Sequence, residues 1–335
     1  MTVNLNGHRV FAARQPRVGD FAGIHFHGAK GATVVGGEVT GFDAGVWVEA
    51  GAQNDVKRLT IHDNVGAADP ASTLGDGIVV MHSPSNRIVG NVVIHNGIFD
   101  GVGLLGLGTD NNVVQQNVIK GTAAGQLDVP GLGTAVIINA VLETEDPRRG
   151  ESLHANNVIG NDIEDNVNSG ISNLSNIGAL IQGNFVRNNG LGVFPGNGIG
   201  VQALMLADQA TLDTVESNVV DHNGSNGIIV LSQRNKVINN VAKDNNVLMN
   251  GSFDLNDQNG PDTTGGPPCD SNVWSGNVWG SGGVFPDCAR GTVQGAVLPA
   301  PALAAAGTGD AGHAQMISEG RHDQALDQGL SHIVG

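Results

Sequence analysis

Two short phrases alternate along this chain, and their spacing decides what it can fold into. One is a Gly followed by alternating apolar residues: GIHF from Gly23, GVWV from Gly45, GIVV from Gly77, GLLG from Gly103, GISN from Gly170, GIGV from Gly198 and GIIV from Gly227. The other is an Asn, a short apolar run and usually a second Asn five places on, as in NVVIHN from Asn91, NFVRNN from Asn184 and NVVDHN from Asn218. The leading Asn recurs at 91, 117, 161, 184, 218, 240 and 277; the shortest steps, 22, 23 and 26 residues, define one coil. Strands this short cannot bury an apolar face alone. Stacked at about 4.8 Å per coil, they bury it continuously and pair their backbone groups with neighbours. The expectation is an all-β chain, a right-handed parallel β-helix solenoid of about eight to nine coils. Asn tolerates the left-handed turn, and its amide can bond to its counterpart in the next coil as a ladder. A leucine-rich repeat would need a recurrent L-x-x-L-x-L frame, which is missing.

Composition agrees with a thin core. Glycine fills 51 of 335 positions, aromatics make up 4% and tyrosine is absent, which suits stacked Val, Ile and Leu rather than one thick interior. The β-helix is expected over residues 1–295; residues 296–335 break the pattern and read as a flexible tail with a short helix over 314–330. A formal charge of −16 argues against a nucleic-acid partner, and no apolar run is long enough to span a membrane. Cys269 and Cys288 are the only cysteines and share one Pro/Gly-rich segment, so a disulfide is expected to staple the terminal coil. That favours an oxidising, secreted location. The chain opens at Met1 with MTVNLNGHRV, carries no export signal and reads as starting inside a first strand.

These phrases, with LNGH at Leu5 to His8, resemble the pectate-lyase-like superfamily, and within it the PbH1-repeat group that includes NosD-like periplasmic proteins. The resemblance runs over roughly residues 3–290 and implies the fold. It leaves activity open, since that superfamily holds lyases, hydrolases, epimerases, tailspike-like adhesins and members without catalysis. NosD-like proteins are associated with copper-site maturation, yet no Met, Cys and His cluster in the sequence carries that role over. The Asp-rich calcium site and the paired Lys/Arg motif of pectate lyases are missing too.

Alternation along each Gly-led strand places its second and fourth residues outward. The outward series includes His25 and His27, Trp47 and Glu49, Val79 and Met81, Leu105 and Leu107, Ile137 and Asn139, Leu174 and Gln202. Through the middle coils this face is largely apolar. The Asn-led strands instead show His62, Lys120, Glu164, Arg187, Asp221 and Lys243, a solvated face of mixed charge. An apolar exposed patch usually meets something. Insertions at 65–75, 121–133, 141–153, 189–197 and 203–211 flank the same sheet and would wall it into a cleft.

Val79, Met81, Leu105, Leu107, Ile137, Asn139, Leu174 and Gln202 are the expected substrate-binding residues of that cleft. His82, with Asp76 before its strand, is a general-base candidate, although a turn histidine has the same signature. Glu145, Asp146, Arg148 and Arg149 crowd one charged loop and offer acid–base chemistry on a sugar, or simply a self-paired turn. His25, His27 and Glu49 fall on one face and are the one set able to take a cofactor, a divalent ion. Three readings follow. The chain binds an extracellular polysaccharide, with lyase or glycoside hydrolase chemistry in reserve; it is a non-catalytic module pairing with itself or a partner; or it acts on a small apolar substrate. Against a sugar cleft, two of the three tryptophans (Trp274, Trp279) sit in the disulfide segment.

Overall fold

The computed structural model describes residues 1–12, 21–65, 74–122, 133–140, 152–192, 195–203, 210–258, 269 and 271–291. The 296–335 tail and the charged loop bearing Glu145, Asp146, Arg148 and Arg149 lie outside these residues. The chain is a right-handed parallel β-helix. Its Gly-led strands form one ten-stranded sheet, each strand hydrogen-bonded to the next coil's. The register is unbroken in the middle: Ile78 faces Val102, Val102 faces Val136, Val136 faces Ile171 and Ile171 faces Ile199. The ten strands exceed the repeat's own tally because Val136–Asn139 and Leu255–Asp257 carry no leading Gly, and Val284–Phe285, after Gly283, is only two residues long.

The leading glycine is a steric necessity. A Cβ at Gly77 would meet Val93 Cγ1 at 2.5 Å and the Gly101 carbonyl oxygen at 2.6 Å. Gly101 occupies the same position one coil on, against Ile119 and the Ala135 carbonyl. The strand after it is Val102–Leu105, so GVGLL and not GLLG is the repeating phrase there. This shifts the outward pair to Gly103 and Leu105. Leu107, expected outward, is buried in the main core instead.

Inside the coil the core is a column of Val, Ile and Leu, including Val48, Val80, Leu104 and Ile138, all fully buried. At its corners run asparagine ladders. The first repeats the leading Asn from Asn91 through Asn117, Asn161, Asn184, Asn218 and Asn240 to Asn277. Asn184 shows its chemistry. Its backbone N–H and its amide Nδ2 both donate to Asn218 Oδ1, at 2.9 and 3.0 Å, and Nδ2 also donates back to the Val158 carbonyl at 2.8 Å. Its own Oδ1 accepts from Asn161 N and Nδ2, each at 2.9 Å. Every polar atom of the amide is therefore paired, as burial demands.

Two more ladders repeat this arrangement. One runs through Asn54, Asn86, Asn112 and Asn156 to Asn176, and resumes at Asp213, Asn235 and Asn272. The other joins Asn64 to Asn96 and Asn166 to Asn189, Asn223 and Asn245, where it ends on Asp254. The left-handed residue is not the ladder Asn itself but the one before it: Gly90 (φ 67°), Gln116 (54°), Gly160 (63°) and Ser217 (56°) precede Asn91, Asn117, Asn161 and Asn218. The disulfide joins Cys269 to Cys288, and beside it Trp274 Nε1 donates to Asp257 Oδ2 at 2.8 Å.

Replacing Asn184 with Leu strands Asn161 N–H, one Asn161 amide hydrogen and the Val158 carbonyl in a dry interior. The expected loss is about 3 kcal/mol or more in urea unfolding, since three buried groups are orphaned and each costs about 1–3. A loss below half of that would show the ladder to be dispensable.

Asp213 replaces an amide in its ladder, and burial pushes its carboxyl up to about 8, against hydrogen bonds from Ala179, Thr211, Gly178 and Asn173 that lower it. Between the ordinary aspartate value of 3.8 and about 8 the folded chain holds this proton and the unfolded chain does not. Stability therefore falls as pH rises through that window. Asp76, raised to about 7 chiefly by burial, acts in the same sense. Asp213→Asn should flatten, without abolishing, the decline of Tm from pH 4 to pH 8; an unchanged slope would mean that the folded carboxyl is already ionised.

Candidate metal centre

The first two Gly-led strands, Ala22–His27 and Ala44–Glu49, place a donor set on the outer face of the sheet. Their parallel register sets His25 opposite Trp47 and His27 opposite Glu49. The two histidines, two residues apart, share one face because strand side chains alternate. Both converge on a single carboxylate oxygen: His25 Nε2 lies 3.0 Å and His27 Nδ1 2.8 Å from Glu49 Oε2. All three ligand atoms fall within 4.8 Å of one another. His25 stacks on the Trp47 indole at 4.2 Å between centroids with 5° between planes, which fixes its ring. Trp47 Nε1 is buried there with no hydrogen-bond partner.

The electrostatics suit a cation. Partial burial pushes the Glu49 carboxyl up, but hydrogen bonds and charge from His27 and His25 outweigh it and hold the group below its ordinary value. An ionised carboxylate and two imidazoles, open to solvent on the His27 side, make up a borderline N/O donor set of the kind that copper(II) and zinc favour. The residues present fit a divalent ion.

Beyond these strands the outer face is partly roofed. Ala44, Leu74 and Val79 form a small buried cluster, with Ala22, Trp47, Met81 and Leu105 packed against it. Val79, expected to line an open cleft, is fully buried. In the next register positions, Val79 stands beside Trp47 and Met81 beside Glu49. Further on, Ile137, Asn139, Leu174 and Gln202 do stand outward and half-exposed, as does Ser172 between Ile137 and Gly200.

Asp76 and His82 do not meet. They lie at opposite ends of the strand Ile78–Met81. His82 takes a left-handed turn (φ 48°), and its Nδ1 lies 3.0 Å from the Leu107 carbonyl oxygen. Asp76 is buried and accepts the Asp100 N–H at 3.1 Å, while Asp100 in turn accepts from Thr134 N at 3.0 Å. Ser169, Asn197 and Asn226 continue this column by the same kind of bond. It is a further polar ladder, flanking the Gly-led sheet, and the sequence hid it because four residue types share one role. Burial, together with the Asp76 charge, raises Asp100 well above the usual carboxylate range.

The mixed-charge sheet holds a second group, Asp221, His222 and Asp244, that geometry alone brings together. There His222 Nδ1 pairs with Asp221 Oδ1 at 2.6 Å and Asp244 Oδ1 accepts from Ser281. Nearby, Lys120 and Arg187 both pair with Glu164, as expected of a solvated face. That sheet is less uniformly polar than its charges suggest, because Val92, Val118, Phe185, Val219 and Val241 form a half-buried row beside them.

Comparison with known proteins adds a family and a fold. The family model described as "Periplasmic copper-binding protein (NosD)" matches residues 4–198, which include all three donors. No curated protein matches. Among solved structures, pectate lyase Pel9A superposes with a TM-score of 0.58 at 15% identity, over 92% of this chain and 73% of that one. The Dettilon tailspike protein gives 0.50 at 15% identity, over 83% and 53%. A mutant of the periplasmic alginate epimerase AlgG gives 0.50 at 17% identity, over 74% of this chain; the chain spans about half the epimerase's length (50%). At such identities the likeness is one of fold.

Proposed function

The chain belongs to the NosD family of periplasmic copper-binding proteins, and on that premise we propose that it is an extracytoplasmic metal-binding β-helix holding divalent copper through His25, His27 and Glu49. The observation that carries this reading is the convergence of two imidazole nitrogens on one carboxylate oxygen, at 3.0 and 2.8 Å, on adjacent rigid strands. A preorganised set loses little conformational entropy on binding. The Cys269–Cys288 bond supports an oxidising compartment, and no described helix is long and apolar enough to cross a membrane.

Titrating the full chain with Cu(II) tests the reading. One equivalent should bind with nitrogen hyperfine structure in electron paramagnetic resonance, and His27→Ala should weaken binding at least roughly tenfold. His27 is exposed, so its loss should leave Tm nearly unchanged. Affinity should fall as pH is lowered, because protons compete for the same nitrogens. Binding indifferent to His25→Ala and His27→Ala together would refute the site.

A second ligand is proposed for the middle coils, where Ile137, Asn139, Ser172, Leu174 and Gln202 alternate apolar surface with amide and hydroxyl groups. Such a mixture suits an extended polysaccharide. An array of uronate-containing and neutral glycans, with and without Ca²⁺, should give at least one ligand whose binding is lost in Asn139→Ala; silence across the array would remove this reading.

A further inference from the structure

We infer that Met81 is a fourth donor of this centre, and that its thioether lets the same site hold cuprous as well as divalent copper; the inference rests on the metal reading above. In the sequence Met81 falls in the same outward series, among the expected substrate-binding residues, but 32 residues from Glu49 along the chain. The coil brings them side by side. His27, Glu49 and Met81 occupy successive register positions in one outward column. Adjacent strands lie about 4.8 Å apart, so the three side chains leave the sheet as neighbours.

The chemistry of the column changes along its length. Imidazole and carboxylate oxygen match Cu(II), whereas a thioether is a soft ligand that selects Cu(I). Met81 is half-buried, packed against the apolar cluster of Ala44, Leu74 and Val79. That cluster holds its unbranched side chain on the dry flank of the site, opposite solvent-exposed His27, and three rotatable bonds give the sulfur reach toward Glu49. Val79 and Trp47 wall the parallel column. A cuprous ion needs few ligands, and the Met81 thioether with one imidazole would supply two of them. The chain's two cysteines are bonded to each other, so no described thiolate competes for the ion.

The alternative is that Met81 only fills space in the apolar cluster. Met81→Leu separates the two roles, since the swap nearly conserves volume and removes the sulfur. The full-length chain is loaded with Cu(I) in ascorbate, which spares the disulfide, in competition with bicinchoninate, and separately with Cu(II) in competition with glycine. The expected result is a fall of at least roughly tenfold in Cu(I) affinity with Cu(II) affinity changed by less than about threefold. X-ray absorption on the Cu(I)-loaded wild type should show a sulfur scatterer that the Leu variant lacks. Equal Cu(I) affinity in the two proteins, or a copper shell without sulfur, overturns the role of Met81 while leaving the Cu(II) centre standing. Failure of Cu(II) to bind His25, His27 and Glu49 at all overturns the centre itself.

Discussion

The structure depends on a buried primary amide whose four hydrogen-bonding positions are all used. In the Asn91–Asn277 ladder an interior member such as Asn184 donates one amide hydrogen forward to the next coil and one back to the previous coil, while its oxygen receives two bonds. In a dry interior a partly satisfied amide is worse than an apolar residue, so the arrangement is all or nothing. It also sets register. A coil that slipped by one residue would turn its whole apolar set outward and break three ladders together. With register fixed this firmly, outward side chains fall into straight columns, and that is what turns residues distant in sequence into a site.

The carboxylates divide along the same lines. Asp76, Asp100 and Asp213 are buried and raised, held by backbone and side-chain donors that take part in ladders. Glu49 is lowered, because two imidazoles face it. The first three behave as structural acceptors that tolerate a proton. The last is an ionised group at a surface with room beside it, which is what a cation requires. The ranking inverts the sequence-based expectation, in which Asp76 was paired with His82 as an acid–base couple.

Most of the fold was legible because the repeat is local: Gly before a strand and Asn after a turn each answer a steric or hydrogen-bonding demand met within a few residues. The His25, His27 and Glu49 set was legible for the same reason, one coil apart on adjacent repeats. What escaped notice is what the repeat does not print. The Asp76, Asp100, Thr134, Ser169, Asn197, Asn226 column uses four residue types for one task. Leu107 was misplaced because GVGLLG offers two glycines as strand leaders, and only the packing against Ile119 chooses Gly101. The burial of Val79 depended on Leu74, a residue arriving from an insertion rather than from a coil.

The ladders also have a direction. In the three asparagine ladders the backbone N–H of one coil points at the side-chain oxygen of the next, whereas in the column from Asp76 to Asn226 it points at the coil before. Two of the three end on asparagines whose amide hydrogens turn back, Asn277 to the Val237 carbonyl and Asn272 to the Ser232 carbonyl. One ladder ends instead on Asp254, whose Oδ1 takes both bonds from Asn245 and whose Oδ2 takes the Gly280 N–H. A carboxylate has only acceptors, so it works as a stop signal written in hydrogen bonds. In the interior most ladder amides find another amide above and below, but nothing can be stacked onto Asp254 in the same idiom. The polarity of that bond makes the two ends of this ladder chemically different.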